Sequence, residues 1–395
     1  MSGKRSSFRV LIIGAGLGGL GAAVCLAHKG HKVTVLEANA QLSEVGAGIQ
    51  IPPNSARVLD SYGLKKRLLQ VVTWPNNLVY RRYATGEVLN STPLQPMMME
   101  TYGNPYWLIH RADYRNLLYD AAKEAGANII FGAAVECVEE REPSVVLQDG
   151  RKIEADIVVG ADGIHSRTRS AVVQGKAGSV NDSAHYAYRF TIPARVMKSE
   201  SDLRGLMTGN NTDCWIGPGG HAMGYPIRLG SLYNLVLPHS GRAVGGKSNE
   251  PGDLEEMKAY YAKFDPRISK ALSKVSECLR WKLEDLPPLP RWGAATAIED
   301  GAALGECLDR ARSVRDLRRV MHAFEAIRKP RCERIQASAR GLGYLWHLPD
   351  GAQQEERDKA MKAVAVEGDS HDLNPNKFAD EEFQAWMFGY DVFTA

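Results

Sequence analysis

The stretch from Phe8 to Glu37, FRVLIIGAGLGGLGAAVCLAHKGHKVTVLE, constrains this chain more than any other. An apolar run, Val10 to Ile13, ends at Gly14, Gly16 and Gly19; a helix-compatible segment follows to His28, and a second apolar run, Val33 to Leu36, closes on Glu37. Strand, glycine turn, helix, strand, acid is the arrangement that binds adenine dinucleotides. Gly14 is expected to turn tightly, Gly16 to let backbone N–H groups approach a pyrophosphate, and Gly19 to let helix and strand pack closely. The helix N-terminus would add unpaired N–H groups and partial positive charge. Glu37, roughly 20 residues after the turn, suits a ribose 2′-OH and repels a 2′-phosphate, so FAD or NAD is expected rather than NADP.

Two later segments also run from a strand into a helix. In WLIHRADYRNLLYDAAKEAG, residues 107–126, a short apolar strand leads to His110 and Arg111; Asp113 is the expected N-cap and Gly126 the expected stop. Arg111 is thereby read at the carboxyl end of a strand, where open α/β sheets bind ligands, and a phosphate or ribityl contact is expected of it. Ile157 to Gly160 reads as a buried parallel strand entering Ala161, Asp162 and Gly163. Its glycine permits close approach, and its carboxylate can orient a phosphate-bound network. Upstream, VGAGIQ at 45–50 sets small residues at Gly46, Ala47 and Gly48, where a backbone can lie against something flat.

Asp149-Gly150 between alternating segments signals a hairpin. From Asn181 to Pro238 the hydrophobic period is two, so an antiparallel sheet is expected between the parallel segments. Helices are expected at Leu254–Phe264 and Ser269–Cys278, then a connector, LPPLPRW from Leu286 to Trp292, that cannot be helical. Helices resume at Ala294–Leu308, Val314–Ile327 and Cys332–Leu345, and the tail from Pro349 reads as polar and irregular, closing on Phe383, Trp386, Phe388 and Tyr390.

With 395 residues and 44% hydrophobic content, the chain can bury a sizeable core and is expected to divide into two domains and a tail. A net charge of +3, with both signs interspersed, argues against a nucleic-acid surface. The six cysteines are scattered, with no CxxC pair and no histidine spaced as a metal ligand; reduced thiols, no metal and a cytoplasmic location are expected. No segment beyond the fingerprint reaches the roughly 18 apolar residues that a membrane span needs.

Taken together, GAGLGGL with Glu37, VGAGIQIPPN, HRADYRNLL, GADGIHSRTR, and YPIR followed by YNLV resemble the FAD-dependent aromatic monooxygenases of the salicylate-hydroxylase-like group, especially fungal members acting on phenolic secondary metabolites. The resemblance implies an α/β fold: a GxGxxG Rossmann-like FAD-binding domain (1–175), an inserted antiparallel-sheet substrate domain (176–290), return helices (291–345) and a C-terminal tail (346–395). It implies FAD as cofactor, NAD(P)H as co-substrate, and O2 and a small phenol as substrates. Gly14, Gly16 and Gly19 would cradle the pyrophosphate, Glu37 the adenosine ribose, Ala47 and Gly48 the isoalloxazine side, and Arg111 the ribityl-phosphate region. Asp162 and Gly163 match an Asp-Gly motif held to touch FAD and the incoming nicotinamide. Arg189 and Tyr225 fall where relatives orient the substrate phenolate. A cation and a phenolic O–H can hold a phenol deprotonated, which makes its ring electron-rich.

The chain departs from the resemblance after the connector. A strand, a Gly-Asp pair and a Pro-bearing loop are implied before the next helix, whereas Trp292 runs directly into GAATAIEDGAAL, which matches that helix alone. The absent Asp would bind the ribityl chain and the absent strand would complete the parallel sheet; each buried backbone group left unpaired there costs roughly 1–3 kcal/mol. Gly293 and Ala294 at the helix start would still face the flavin pyrimidine. Two rival readings follow. One is a relative that binds nucleotide or metabolite without turnover, and the other is an NAD-dependent dehydrogenase, in whose simple hydride-transfer scaffold Asp162-Gly163 and HRADYRNLL have no place.

Overall fold

A computed structural model describes residues 6–42, 47–139, 142–173, 185–241, 249–284, 297–363 and 374–395. The fingerprint folds into a parallel sheet of β1 (Arg9–Ile13), β2 (Lys32–Leu36), β7 (Asn128–Ile130) and β11 (Ile157–Gly160), in the order β11-β1-β2-β7. Alternation along β1 explains its two covered faces. Val10 and Ile12 join a core with the helix Leu17–His28, while Leu11 and Ile13 pack the other way, against Ala133, Val145 and Leu147. That second cover is the small antiparallel sheet of β8 (Val135–Glu139), β9 (Ser144–Leu147) and β10 (Lys152–Glu154), in which Gly150 turns the β9–β10 hairpin at φ +85°.

The period-two segment forms an eight-stranded sheet, ordered β16 (Asn249–Pro251), β17 (Leu279–Lys282), β12 (His185–Pro193), β15 (Leu232–Ser240), β14 (Gly220–Ile227), β13 (Thr212–Gly217), β4 (Asn77–Arg82), β5 (Val88–Pro93). All its pairs are antiparallel except β13 with β4. Residues 77–93 thus enter this sheet from far upstream. One face carries Tyr188, Phe190, Ile192, Leu235 and Leu237 into a core with Met257 and Tyr261; the other carries Tyr80, Cys214, Ile216 and Tyr225 against Trp346 and Phe388. A two-stranded ribbon, β3 (Gly48–Ile51) antiparallel to β6 (Trp107–His110), lies near this second face, where Gln50 Nε2 reaches Met223 Sδ at 3.4 Å.

Several expectations are corrected. The helix after β6 runs Arg111–Glu124 and is capped by His110, whose Nδ1 accepts from the Ala112 N–H, because Asp113 is drawn off into a two-bond ion pair with Arg228. The segment after the antiparallel sheet forms shorter helices, Leu254–Tyr260 and Pro266–Leu272, and Leu279–Lys282 is strand. The two helices expected on either side of Pro330 are one, Leu317–Trp346; Pro330 lies on the exposed side, where water can satisfy the carbonyl it leaves without a donor. The tail is not irregular: it forms helices Ala352–Lys362 and Glu381–Phe388, and Phe388 is 1% exposed. The connector at 286–292 lies outside the described residues.

Candidate active site

The glycine turn has the geometry its spacing implies. Gly14 adopts φ +104°, and a Cβ there would meet the Ala161 carbonyl oxygen at 2.5 Å; a Cβ on Gly19 would overlap the Gly14 carbonyl. Around Gly16 nothing stands within 4 Å of an added Cβ. Gly16 is the extended N-cap of Leu17–His28, with no side-chain cap and no acid in the first turn, so the first N–H groups of this helix remain available to an anion. Glu37 ends β2 beside the turn. Its Oε2 accepts from the Ala15 N–H at 2.9 Å and its Oε1 from the Asn39 N–H at 2.9 Å and the Asn39 Nδ2 at 2.6 Å, which orients the carboxylate while leaving Oε2 a further lone pair.

Gly16, Arg111, Asp162 and Gly163 line one cavity of about 870 Å³, bounded by β11 and by the helices Ala297–Asp309 and Leu317–Trp346. Arg111 sits where β6 ends, but β6 belongs to the ribbon and not to the parallel sheet, contrary to the sequence reading. The Ala47 carbonyl accepts its backbone N–H at 3.0 Å, tying the small-residue segment to the helix start. Burial, then the Arg115 charge, pull the Arg111 pKa down, the signature of a cation that an incoming phosphate would relieve. Asp162 is occupied within its own turn. It accepts from the Ser166 and Thr168 hydroxyls at 2.6 and 2.8 Å and from the Arg167 and Thr168 N–H groups at 2.8 and 3.2 Å, so its first role is to shape the loop after β11. Gly163 follows at φ +80°. Gly293 and Ala294 lie outside the described residues. Open space at Gly16, a free helix N-terminus and an adjoining cavity with a buried cation fit a dinucleotide such as FAD.

The expected substrate residues meet on the second face of the large sheet. Arg189 lies on β12 with its guanidinium over the Trp281 ring, 5.4 Å from the centroid. Tyr225, 3% exposed on β14, is near enough that the Arg189 charge draws its phenol pKa back down, although burial raises it overall. Arg189 in turn is pulled down by burial, with Tyr225 raising it and Arg111 lowering it. Arg111 therefore stands between this cavity and the sheet face that carries Arg189 and Tyr225. Gly48 joins them, since a Cβ there would run into the Tyr225 ring and approach the Asn234 amide carbon at 2.9 Å. Asn234, which the sequence reading did not single out, accepts the Gly48 N–H through Oδ1 at 2.6 Å. Its signal was present in YNLV, where strand alternation puts it on the face opposite Tyr233 and Leu235.

Comparison with known proteins agrees with this geometry. A family model described as an FAD binding domain matches residues 7–218. The chain is 31% identical to the FAD-dependent monooxygenase OpS4 of Beauveria bassiana, over 99% of this chain and 97% of that protein. It is 32% identical to 3-hydroxybenzoate 6-hydroxylase 1 of Aquipseudomonas alcaligenes, over 97% and 98%. In fold it is similar to a salicylate hydroxylase substrate complex, with TM-score 0.77 at 19% identity over 98% and 97% of the two chains. The alignment with the Beauveria protein spans 421 positions against 395 residues here, so at least 26 of its positions have no counterpart in this chain.

Proposed function

The chain belongs to the FAD binding domain family, and from that membership we propose that it is an FAD-dependent, NAD(P)H-consuming monooxygenase that hydroxylates or dearomatises a phenolic small molecule held by Arg189 and Tyr225. The observation that carries this is the meeting of Tyr225, Asn234 and Gly48. It sets the substrate face of the large sheet directly against the small-residue segment that adjoins the dinucleotide cavity. Gly14, Gly16 and Gly19 with the helix N-terminus would hold the pyrophosphate, Glu37 the ribose, Arg111 the phosphate or ribityl region, and Ala47 and Gly48 the ring system. Bound FAD, once reduced by NAD(P)H, would supply the activation of O2, one atom of which goes to the ring and the other to water.

The protein's own contribution is substrate ionisation and placement. Arg189, fixed over Trp281, favours the charged form of a phenol set against it, and the Tyr225 hydroxyl donates to the phenolate oxygen. A phenolate directs electron density into its ring, which is what accepting an electrophilic oxygen atom requires. Tyr225 is buried and Arg189 half-buried, which limits the water that can compete for the oxygen.

Fungal secondary metabolism is the setting that the Beauveria relative favours. All six cysteines are free and five are buried, which supports a reducing compartment such as the cytoplasm; among the described residues no helix is long and apolar enough to cross a membrane. The second reading, binding without turnover, draws support from β11, which has a strand neighbour on one side only among the described residues. A visible spectrum of the purified protein and phenol-stimulated NAD(P)H oxidation test the proposal: flavin bands with stimulation support it. Flavin bands without stimulation by any of a panel of phenols, or a colourless protein, overturn the proposal and favour the binder.

A further inference from the structure

Asn234 does more on the substrate face than hold Gly48. It is 0% exposed, on β15, directly opposite Tyr225 on β14 and Thr191 on β12. Its orientation is fixed by chemistry: the Gly48 N–H can only donate, so the amide oxygen must face it and the NH2 group must turn the other way. That Nδ2 is buried and has no partner. On this face of β12, β14 and β15 the only other buried side-chain atom without a partner is Arg189 Nε, also an N–H donor. The amide oxygen of neighbouring Gln50 is already taken by the Tyr106 hydroxyl at 2.5 Å. The free polar groups buried here therefore ask for acceptors and offer none.

We propose that Asn234 is a specificity-determining residue, whose amide N–H donates to a second oxygen acceptor on the phenolic substrate, a carbonyl or carboxylate, while Arg189 takes the phenolate. This rests on the proposed reading that a phenol is bound against Arg189 and Tyr225. A ring carrying a methyl group at that position leaves the amide donor unpaired, and one carrying an amino group sets donor against donor. A site built around a buried donor rejects such analogues far more strongly than an apolar pocket rejects a change in size. The two halves of the amide thus serve separate ends: the oxygen fixes the backbone beside the cofactor cavity, and the nitrogen reads the substrate.

The test uses flavin-loaded protein and two neutral probes, 3-hydroxyacetophenone and 3-aminophenol, with dissociation constants taken from the perturbation of the flavin spectrum. Wild type is expected to bind the ketone about tenfold more tightly, within the range that leaving one buried donor unpaired costs. Asn234→Asp keeps an oxygen for the Gly48 N–H and replaces the NH2 with an acceptor; its flavin content should stay unchanged while the preference moves toward 3-aminophenol by tenfold or more. An equal preference in wild type overturns the inference without recourse to the variant. So does a variant that holds flavin and keeps the wild-type ratio, which would make Asn234 a structural latch only. A flavin spectrum that responds to neither probe overturns the reading of the phenol site itself, and the inference with it.

Discussion

Arg189 shows how closely a single side chain can be tied to chemistry by its surroundings. Its guanidinium is stacked over Trp281, faces Tyr225 and feels Arg111, so little but an anion is missing from its environment. Arg189→Met should leave the sheet intact, because the backbone pairing of residue 189 with Val236 and Leu279 does not involve the side chain, and should remove a charged hydrogen bond to substrate. Such bonds contribute about 1.5–3 kcal/mol, so kcat/KM for a phenol should fall roughly 10- to 150-fold with flavin content unchanged. At the other end of β14, His221 and His347 approach at 2.9 Å between ring nitrogens, and burial pushes them down to about 3 and about 4. Both pKa values lie below the unfolded value near 6.5, so the folded state binds fewer protons than the unfolded chain in that window. Stability should be full above pH 6.5 and decline as pH falls toward 4. A melting-temperature profile should show that slope, and His221→Gln should make it shallower. The sequence exposed Arg189 and Tyr225 through the motifs around them. It hid Asn234, because an asparagine in a strand declares its partner only once the opposite strand and Gly48 are in register.

Among the elements, the helix Ala297–Asp309 decides whether the fingerprint and the long C-terminal helix form one body. It lies so close to Leu17–His28 that a Cβ on Gly301 would meet the Ala22 Cα at 2.7 Å, a contact that only a small residue allows. Its other anchor is ionic. Glu299, 1% exposed, receives Arg328 at 2.6 Å, Arg331 at 2.8 and 2.9 Å and Asn54 at 2.5 Å, and Asp300 receives Arg328 at 2.8 Å. Arg331 also donates to the Trp386 and Met387 carbonyls at 2.9 Å and lies 4.0 Å from the Tyr390 ring centroid, which is how the tail is gathered in. Removing the acid strands buried guanidinium charge, so Glu299→Ala should cost about 3–5 kcal/mol, measured by denaturant unfolding. The sequence showed the helical periods on both sides of Pro330 but placed a break between them. Proline lowers local propensity, and what overrides it is this pair of arginines, spaced to grip one acid on a helix distant in sequence.

For the whole molecule, the sheets were largely legible in the sequence because hydrophobic period and glycine punctuation are local signals. The passage of residues 77–93 into the large sheet was not, since a parallel β13–β4 pair 134 residues apart in sequence leaves no local trace. What most limits this fold is the edge of its parallel sheet. Ile157, Val158 and Val159 are apolar and β-branched, as strands covered on both sides are, yet β11 pairs only with β1 among the described residues, and Val158 and Val159 are half-buried. The cavity of about 870 Å³ runs along that strand to Ala297, the first described residue after the point where the resemblance implies a further strand, and at least 26 positions of the Beauveria relative have no counterpart here. A strand laid parallel to β11 would fill only the part of that cavity along Ile157 to Gly160, pair their outer backbone groups and end beside Asp162, leaving the end at Gly16 and Arg111 to the dinucleotide. Inserting a strand, Gly-Asp pair and loop of the kind the resemblance implies between Trp292 and Gly293 should therefore raise the melting temperature by several degrees and increase the flavin retained per chain through gel filtration. An insert of equal length built from glycine and serine supplies the chain without the β-branched side chains and should do neither. If the two inserts behave alike, the open edge of β11 is not what limits flavin binding, and the fold is complete with the strands it has.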